Sequence, residues 1–571
     1  MTQTFIPSKD ASLESSISTL LAKLDALGFH VVEKSWLNEI ENIWSVHITD
    51  RDCTRLFSNG KGGSELAARA SALGEFFERL GTNYFWTHFY LGEQIANGDF
   101  VHYPNEKWFP VKGKAWPKGI LNTKLQQFYN PDKAVRAEQL IDLNSGNAER
   151  GICAIPYTCL RDNSVAYFPV NVIGNIYVSN GMSAGNTMME ARVQALSEIF
   201  ERDIKFKIIR DGICLPDVPE DVINRYPNIA AGIAGLRKAG FGILIKDASL
   251  GGKYPVMCVT MLHPKDQGIF ASFGAHPRFE VALERSLTEL LQGRALDSLG
   301  DFPPPGFDMD EIAEAQNLEI HFVDSSGVVS WEFLRDTPDL DFVDWNFSST
   351  TEEDYDWCVE TIHASGHDIY VADFMHLDVY SCRIFVPGMS EIYPVEELYW
   401  ENNTVGNLVR PAILRLPELT QKESATLLAT FDELDLADNL PIWTLIGLCT
   451  DAGTQWADVR VGELKALLGL ACGDTDAALD GCIWLRQFGQ LSEGRGKVYS
   501  CIENILQLED STQYDANLKL LFGEATLEQA YALVRREEQF FGLDVLGANM
   551  EASKMHTQLL AAYAKVQRMK T

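Results

Sequence analysis

The sequence predicts an α/β domain built on repeated strand, glycine-turn and helix units, followed by an all-α domain, and three observations carry that expectation. Before residue 405, β-rich runs such as IWSVHIT (43–49), YFPVNVIGNIYVS (167–179), YPVMCVTML (254–262) and CRIFVPG (382–388) alternate with amphipathic helical stretches, the pattern of an α/β layer fold. From about Pro417 onward β-branched runs thin out, and VGELKALLGLACG, DAALDGCIWLRQFG and NLKLLFGEATLEQAYALVRREEQF follow helical periodicity between short Gly- or Asp-containing turns. The third observation is an internal repeat. The expected division is 1–405 for the α/β domain and 406–571 for the helical one, and 571 residues suffice for both with large cores.

The repeat unit first occurs as FSNGKGGSELAARASALGEFFERL (57–80) and again, 123 positions later, as NGMSAGNTMMEARVQALSEIFERD (180–203). Ala68, Arg69, Ala72, Leu73, Glu75, Phe77, Glu78 and Arg79 align without a gap on Ala191, Arg192, Ala195, Leu196, Glu198, Phe200, Glu201 and Arg202, eight identities in twelve positions. A more divergent copy, ASFGAHPRFEVALERSLTELLQGRALD (271–297), lies 214 positions after the first, and there Gln292 replaces the second glutamate. The later helix pairs resemble tetratricopeptide repeats in length, without a clean 34-residue signature; a helical bundle is the plainer alternative.

Composition narrows the function. Forty-eight Lys and Arg against eighty Asp and Glu give a net charge of −32, which repels nucleic-acid backbones and anionic lipid. Direct nucleic-acid and membrane binding are therefore not expected. Eleven scattered cysteines without a C-x-x-C pair read as reduced core thiols. The opening MTQTFIPSKD has no basic or apolar leader, and no run reaches the roughly 18 apolar residues that span a bilayer, so the expected location is the cytoplasm. His363 and His367 stand four apart, but Gly366 lies between them and no carboxylate is suitably spaced, so the segment reads as a solvated loop.

The repeated helices carry the chemistry. Residues three, four, seven and eight apart share a helix face, so Glu75 and Glu78 project together with Ser71, while Glu190, Glu198 and Glu201 form one stripe of the second helix. Solvated ion pairs with Arg79 and Arg202 would be the ordinary reading. Ala68, Ala72, Leu73, Phe76 and Phe77, with Ala191, Ala195, Leu196, Ile199 and Phe200, instead make both helices apolar on most faces, and a buried carboxylate requires a cation. Clustered glutamates suit Mg2+, which commonly accompanies phosphate. The glycine turns 59–63 and 181–186 are read as anion cradles at helix starts, although neither is a Walker A loop or a dinucleotide fingerprint. A Mg–nucleotide site follows.

At these residues the chain resembles the YcaO family: GKGGSELAARASALGEFFER (60–79), SNGMSAGNTMMEARVQALSEIFERD (179–203) and GAHPRFEVALERSLTELLQGR (274–294) are similar to its three nucleotide-site motifs, in order, and the likeness extends to VPGM (386–389). The resemblance implies a YcaO-type fold that uses ATP and Mg2+ to activate a peptide amide: a nucleophile adds to the carbonyl, the oxyanion takes the γ-phosphoryl group, and phosphate leaves. It assigns Glu75, Glu78, Glu190, Glu198 and Glu201 to Mg2+, and Lys9, Ser16, Ser183, Asn186, Arg202 and Arg285 to the nucleotide. Arg202 and Arg285 are then also the catalytic groups that neutralise phosphate charge. Gln292 and Arg294 match the third motif and read equally as helix-surface polar residues.

Azoline-forming members end in a proline-rich tail, whereas this chain ends AAYAKVQRMKT with no proline after Pro441, so cyclodehydration is not expected. The expected activity is an ATPase, ATP to ADP and phosphate. With its helical C-terminal part the chain resembles the stand-alone bacterial members, which implies an accessory role in β-methylthiolation of a small-subunit ribosomal protein. The implied partners are that ribosomal protein and a methylthiotransferase; a homodimer is a separate expectation. The alternative is a non-catalytic, nucleotide-stabilised adaptor that recruits a radical-SAM methylthiotransferase through its C-terminal helices.

Overall fold

The computed structural model describes residues 3–398, apart from 143, 146 and 301, and residues 405–570. Residues 399–404, just before the expected division at 405, and residue 571 lie outside the described residues. Strands β1 (Val31–Ile40), β2 (Ile43–Asp50) and β3 (Phe57–Gly62) form a meander in that order. β4 (Lys107–Phe109), β5 (Ile152–Cys159), β6 (Val165–Pro169) and β7 (Met182–Gly185) start a second sheet, and β8 (Gly242–Asp247), β9 (Val256–Leu262) and β10 (Ile269–Ala275) make a third of order β10-β9-β8. β11 (Tyr370–Phe374) and β12 (Tyr380–Phe385) complete the second sheet as β4-β5-β11-β12-β7, with β6 on β5. All these strand pairs are antiparallel.

The helices that matter for the site are α1 (Leu13–Leu27), α2 (Glu65–Gly81), α3 (Val170–Tyr177), α4 (Met188–Asp211), α5 (Phe279–Glu289), α6 (Ala315–Val323) and α7 (Thr351–Ala364). Ser12, Ser64 and Thr187 cap α1, α2 and α4, each side chain accepting the N–H three residues on. As expected from their apolar stripes, Ala68, Ala72, Phe76 and Phe77 on α2 and Ala191, Ala195, Leu196, Ile199 and Phe200 on α4 are fully buried. His363 lies in the last turn of α7, so only His367 of that pair falls in the loop.

Each repeat places an edge strand against a helix: β3 with α2, β7 with α4, β10 with α5. Gly60, Gly62, Gly185 and Gly274 lie in the strands and serve this packing, whereas Gly63 and Gly181 stand outside them, as the turn reading expects. A Cβ on Gly60 would stand 2.0 Å from the Ala68 carbonyl oxygen, and one on Gly274, 214 positions later, 2.5 Å from Ser286 N. Gly62 and Gly185, 123 positions apart, face Ala67 Cβ at 2.7 Å and Ala191 N at 2.9 Å in the same way. No side chain fits where strand and helix approach so closely.

In the C-terminal part, α8 (Val461–Cys472), α9 (Thr475–Phe488), α10 (Glu493–Gln507) and α11 (Glu524–Val534) pack in succession around their own core. Gly473, at φ 82°, ends α8, and the Asp474 side chain caps α9, so the reversal takes two residues. The last helix, α12 (Lys554–Gln567), leaves that core. Its Leu559, Ala562, Tyr563 and Val566 pack with Phe29 after α1, Phe76 and Phe77 of α2, and Trp86. Among the described residues no helix is long and apolar enough to cross a membrane, and all eleven cysteines are free.

Candidate functional site

Helices α1, α2, α4 and α5 and the segment before α1 wall a cavity of about 940 Å3. Lys9, Ser16, Glu75, Glu78, Ser183, Asn186, Glu190, Glu198, Glu201, Arg202 and Arg285 all line it, as do Gln292 and Arg294. The first arginine of the first two copies turns away: Arg69 pairs with Glu33 at 2.8 Å and Arg192 with Asp373 at 2.8 Å. The repeat therefore conserves one geometry for the cavity and uses its leading arginines elsewhere.

At the start of α4, Glu190 is buried and highly connected. Asn186 Nδ2 donates to both its oxygens at 3.1 and 3.0 Å, Asp10 N donates at 3.0 Å, and Lys9 Nζ stands 3.4 Å away. Ser16 Oγ donates to Asn186 Oδ1 at 2.9 Å, so one network joins α1 and its leading segment to α4. Two turns on, Glu198 pairs with Arg202; on α2, Arg79 reaches Glu75 at 3.0 Å and Glu78 at 3.8 Å. Eight residues of helix put about 12 Å of axial rise between the backbones of Glu190 and Glu198.

Carboxylates outweigh cations in this wall. Burial pushes the Glu78 carboxyl up to about 8, with Arg79 opposing and Glu198 adding repulsion, and burial likewise raises Glu198 against the pull of Arg202. Both would be relieved by a divalent cation. Among the described residues no three His, Cys, Asp or Glu side chains are gathered closely enough to hold a metal as they stand; arginines pair with Glu75, Glu78 and Glu198. Arg202 holds Glu198 yet leaves Nη1 buried and without a hydrogen-bond partner, and its guanidinium lies 4.7 Å over the Phe322 ring. All-oxygen acidic donors and an unpartnered buried guanidinium nitrogen fit a Mg2+-bound phosphate.

Sequence reasoning passed over several groups here. Lys61 of β3 pairs with Glu289 of α5, and burial lowers its ammonium to about 8 against the pull of Glu201. Its place in GKGG was the available signal. Gln194 Oε1 accepts from Arg285 Nη1 at 2.9 Å; it sits four residues before Glu198, on the same stripe. Gln292, which the third motif did single out, donates from Nε2 to the Asn59 carbonyl at 2.8 Å, tying the turn after α5 to β3. Phe322, from distant α6, carried no sequence signal.

Comparison with known proteins adds the following. The profile described as YcaO cyclodehydratase, ATP- and Mg2+-binding, matches residues 59–390, and the YcaO cyclodehydratase C-terminal domain matches 406–571. The Ribosomal protein S12 methylthiotransferase accessory factor YcaO of Escherichia coli is 49% identical over 580 residues, covering 100% of this chain and 99% of its own. An uncharacterised protein of Haemophilus influenzae is 48% identical over 579 residues, covering 100% and 99%. The solved structure of YcaO from Methanopyrus kandleri bound with AMPPCP and Mg2+ covers 68% of this chain and 95% of its own at 18% identity and a TM-score of 0.39, a distance at which no residue correspondence is drawn.

Proposed function

The chain belongs to the YcaO family, and on that footing we propose that it binds Mg–ATP in the cavity among α1, α2, α4 and α5 and uses it to phosphorylate a polypeptide backbone amide, in the service of β-methylthiolation of a small-subunit ribosomal protein. ATP and Mg2+ are the ligands of the matched family domain. The methylthiolation role rests on the name of a relative 49% identical along the whole chain. Residues 1–405 would form the ATP-binding domain and 406–571 an interaction domain of tetratricopeptide type, working in the cytoplasm.

In this reading Glu75, Glu78, Glu190, Glu198 and Glu201 hold Mg2+, and Lys9, Ser16, Ser183 and Asn186 meet the nucleotide. Bound Mg2+ supplies neutralisation of phosphate charge. Arg202 uses its free Nη1, and Arg285 its guanidinium steadied by Gln194, to stabilise charge that builds on the phosphoryl oxygens during transfer. The observation that carries the reading is the arrival of both repeats' glutamates, together with that unpartnered nitrogen, on the wall of one cavity of about 940 Å3.

Steady phosphate release from Mg–ATP by the purified protein, slowed about 100-fold in Arg202→Lys, is the expected result. Metal-dependent nucleotide binding with no turnover would point instead to the adaptor that recruits a radical-SAM methylthiotransferase. Exposed Phe488, Leu520 and Leu521 on the C-terminal helices favour that second reading.

A further inference from the structure

Away from the nucleotide cavity, a smaller one of about 50 Å3 lies between the six-stranded sheet, α3 and the end of α12. Its lining includes Arg383 of β12, His102, Tyr103, Tyr157, Asn144 and Tyr563 and, among the described residues, no acidic one. Arg383 is 3% exposed. One edge of its guanidinium is used: Nη2 donates to the Ile173 carbonyl at 3.1 Å and to the Val178 carbonyl. Its Nε is buried without a partner, and among the described residues Arg383 forms no ion pair.

The surroundings deepen that deficit. The nearby charge partners of Arg383 are tyrosine hydroxyls and the like-charged Arg79, and burial holds its guanidinium below its ordinary value. Several lining polar groups are already engaged. Tyr103 Oη donates to Gly81 O at 2.8 Å, Asn144 Nδ2 donates to Trp86 O at 2.6 Å and Phe89 O at 2.7 Å, and Thr82 Oγ1 donates to Glu78 O at 2.7 Å. His102 Nε2 makes no hydrogen bond; Asp142, outside the lining, stands 3.5 Å from it. A buried cation with a free donor and no counter-charge is strongly unfavourable unless an anion reaches it.

We propose that this cavity is a binding site for a small monovalent anion of chloride's size, held by Arg383 Nε. The volume exceeds the roughly 10–15 Å3 needed for a water and excludes anything as large as a nucleotide. The anion has a structural task. It satisfies the free edge of Arg383 while the other edge holds the carbonyl of Val178, a β-branched residue at φ 48° on the wall of the nucleotide cavity. Such a conformation persists only where its surroundings impose it.

Crystals of the full chain grown with bromide in place of chloride should show an anomalous peak within hydrogen-bond reach of Arg383. At constant ionic strength balanced with gluconate, Tm should rise by about 1–2 °C for each tenfold increase in chloride above its Kd, and Arg383→Met should abolish that slope. Water in place of bromide beside Arg383, or an unchanged chloride slope in Arg383→Met, would overturn the proposal. Should Arg383→Met not fold, the bromide experiment on the unaltered protein decides alone.

Discussion

Glu78 and Glu198 face one cavity from neighbouring repeat helices, and their burial makes the metal-free protein sensitive to pH. With the Glu78 carboxyl raised from 4.5 to about 8 by burial, the folded chain binds more protons than the unfolded one between those values, so stability falls as pH rises through that window. Denaturant titrations of metal-free protein at pH 5 and pH 8 should show this decline, and Glu78→Gln should flatten it. Binding of Mg–nucleotide at pH 7 should release close to one proton, read by calorimetry in buffers of different ionisation enthalpy. At this scale much was legible: the i, i+3 and i, i+4 spacings of Glu75, Glu78, Glu198 and Glu201 predicted which side chains meet. Lys61 and Phe322 were not, since the ion pair to Glu289 and the stacking on Arg202 join segments more than a hundred residues apart.

The strand and helix of each repeat meet through glycine, and two glycines of one motif differ in how closely they are packed. Gly60→Ala would drive a methyl group into the Ala68 carbonyl and should cost about 2–3 kcal/mol, measured by denaturant unfolding. Gly63→Ala meets only the Glu284 carboxylate, at 3.4 Å, and should change stability by no more than about 0.5 kcal/mol. Periodicity located α2 and α4 in the sequence because their apolar stripes are long. It placed Gly60, Gly62 and Gly185 in turns, because an edge strand of four to six residues rich in Gly and Ser lacks the alternation that marks a strand.

Over the whole molecule, the last helix ties the helical part to the nucleotide-binding part. Tyr563 of α12 is fully buried, meets the Trp86 ring at 5.0 Å and donates to the Val101 carbonyl. Tyr563→Ala should therefore cost about 3–5 kcal/mol and lower the melting of the nucleotide-binding part, seen as lost nucleotide affinity on heating. This return was invisible in the sequence: α12 shows the same helical periodicity as its neighbours, and nothing local reveals which core it joins. The second sheet is similar, since β5 pairs with β11 across some two hundred residues. The net charge of −32 acquires a finer meaning at this scale. A very acidic chain can hold a polyanion only where Mg2+ and a few arginines reverse the local sign. Calorimetric titration of Mg2+ and a non-hydrolysable ATP analogue into the parent, Glu198→Gln and Glu201→Gln tests this most directly. The prediction is metal-dependent binding by the parent and at least tenfold weaker binding by both variants, with Tm and circular dichroism retained; parent-like affinity in both would contradict it.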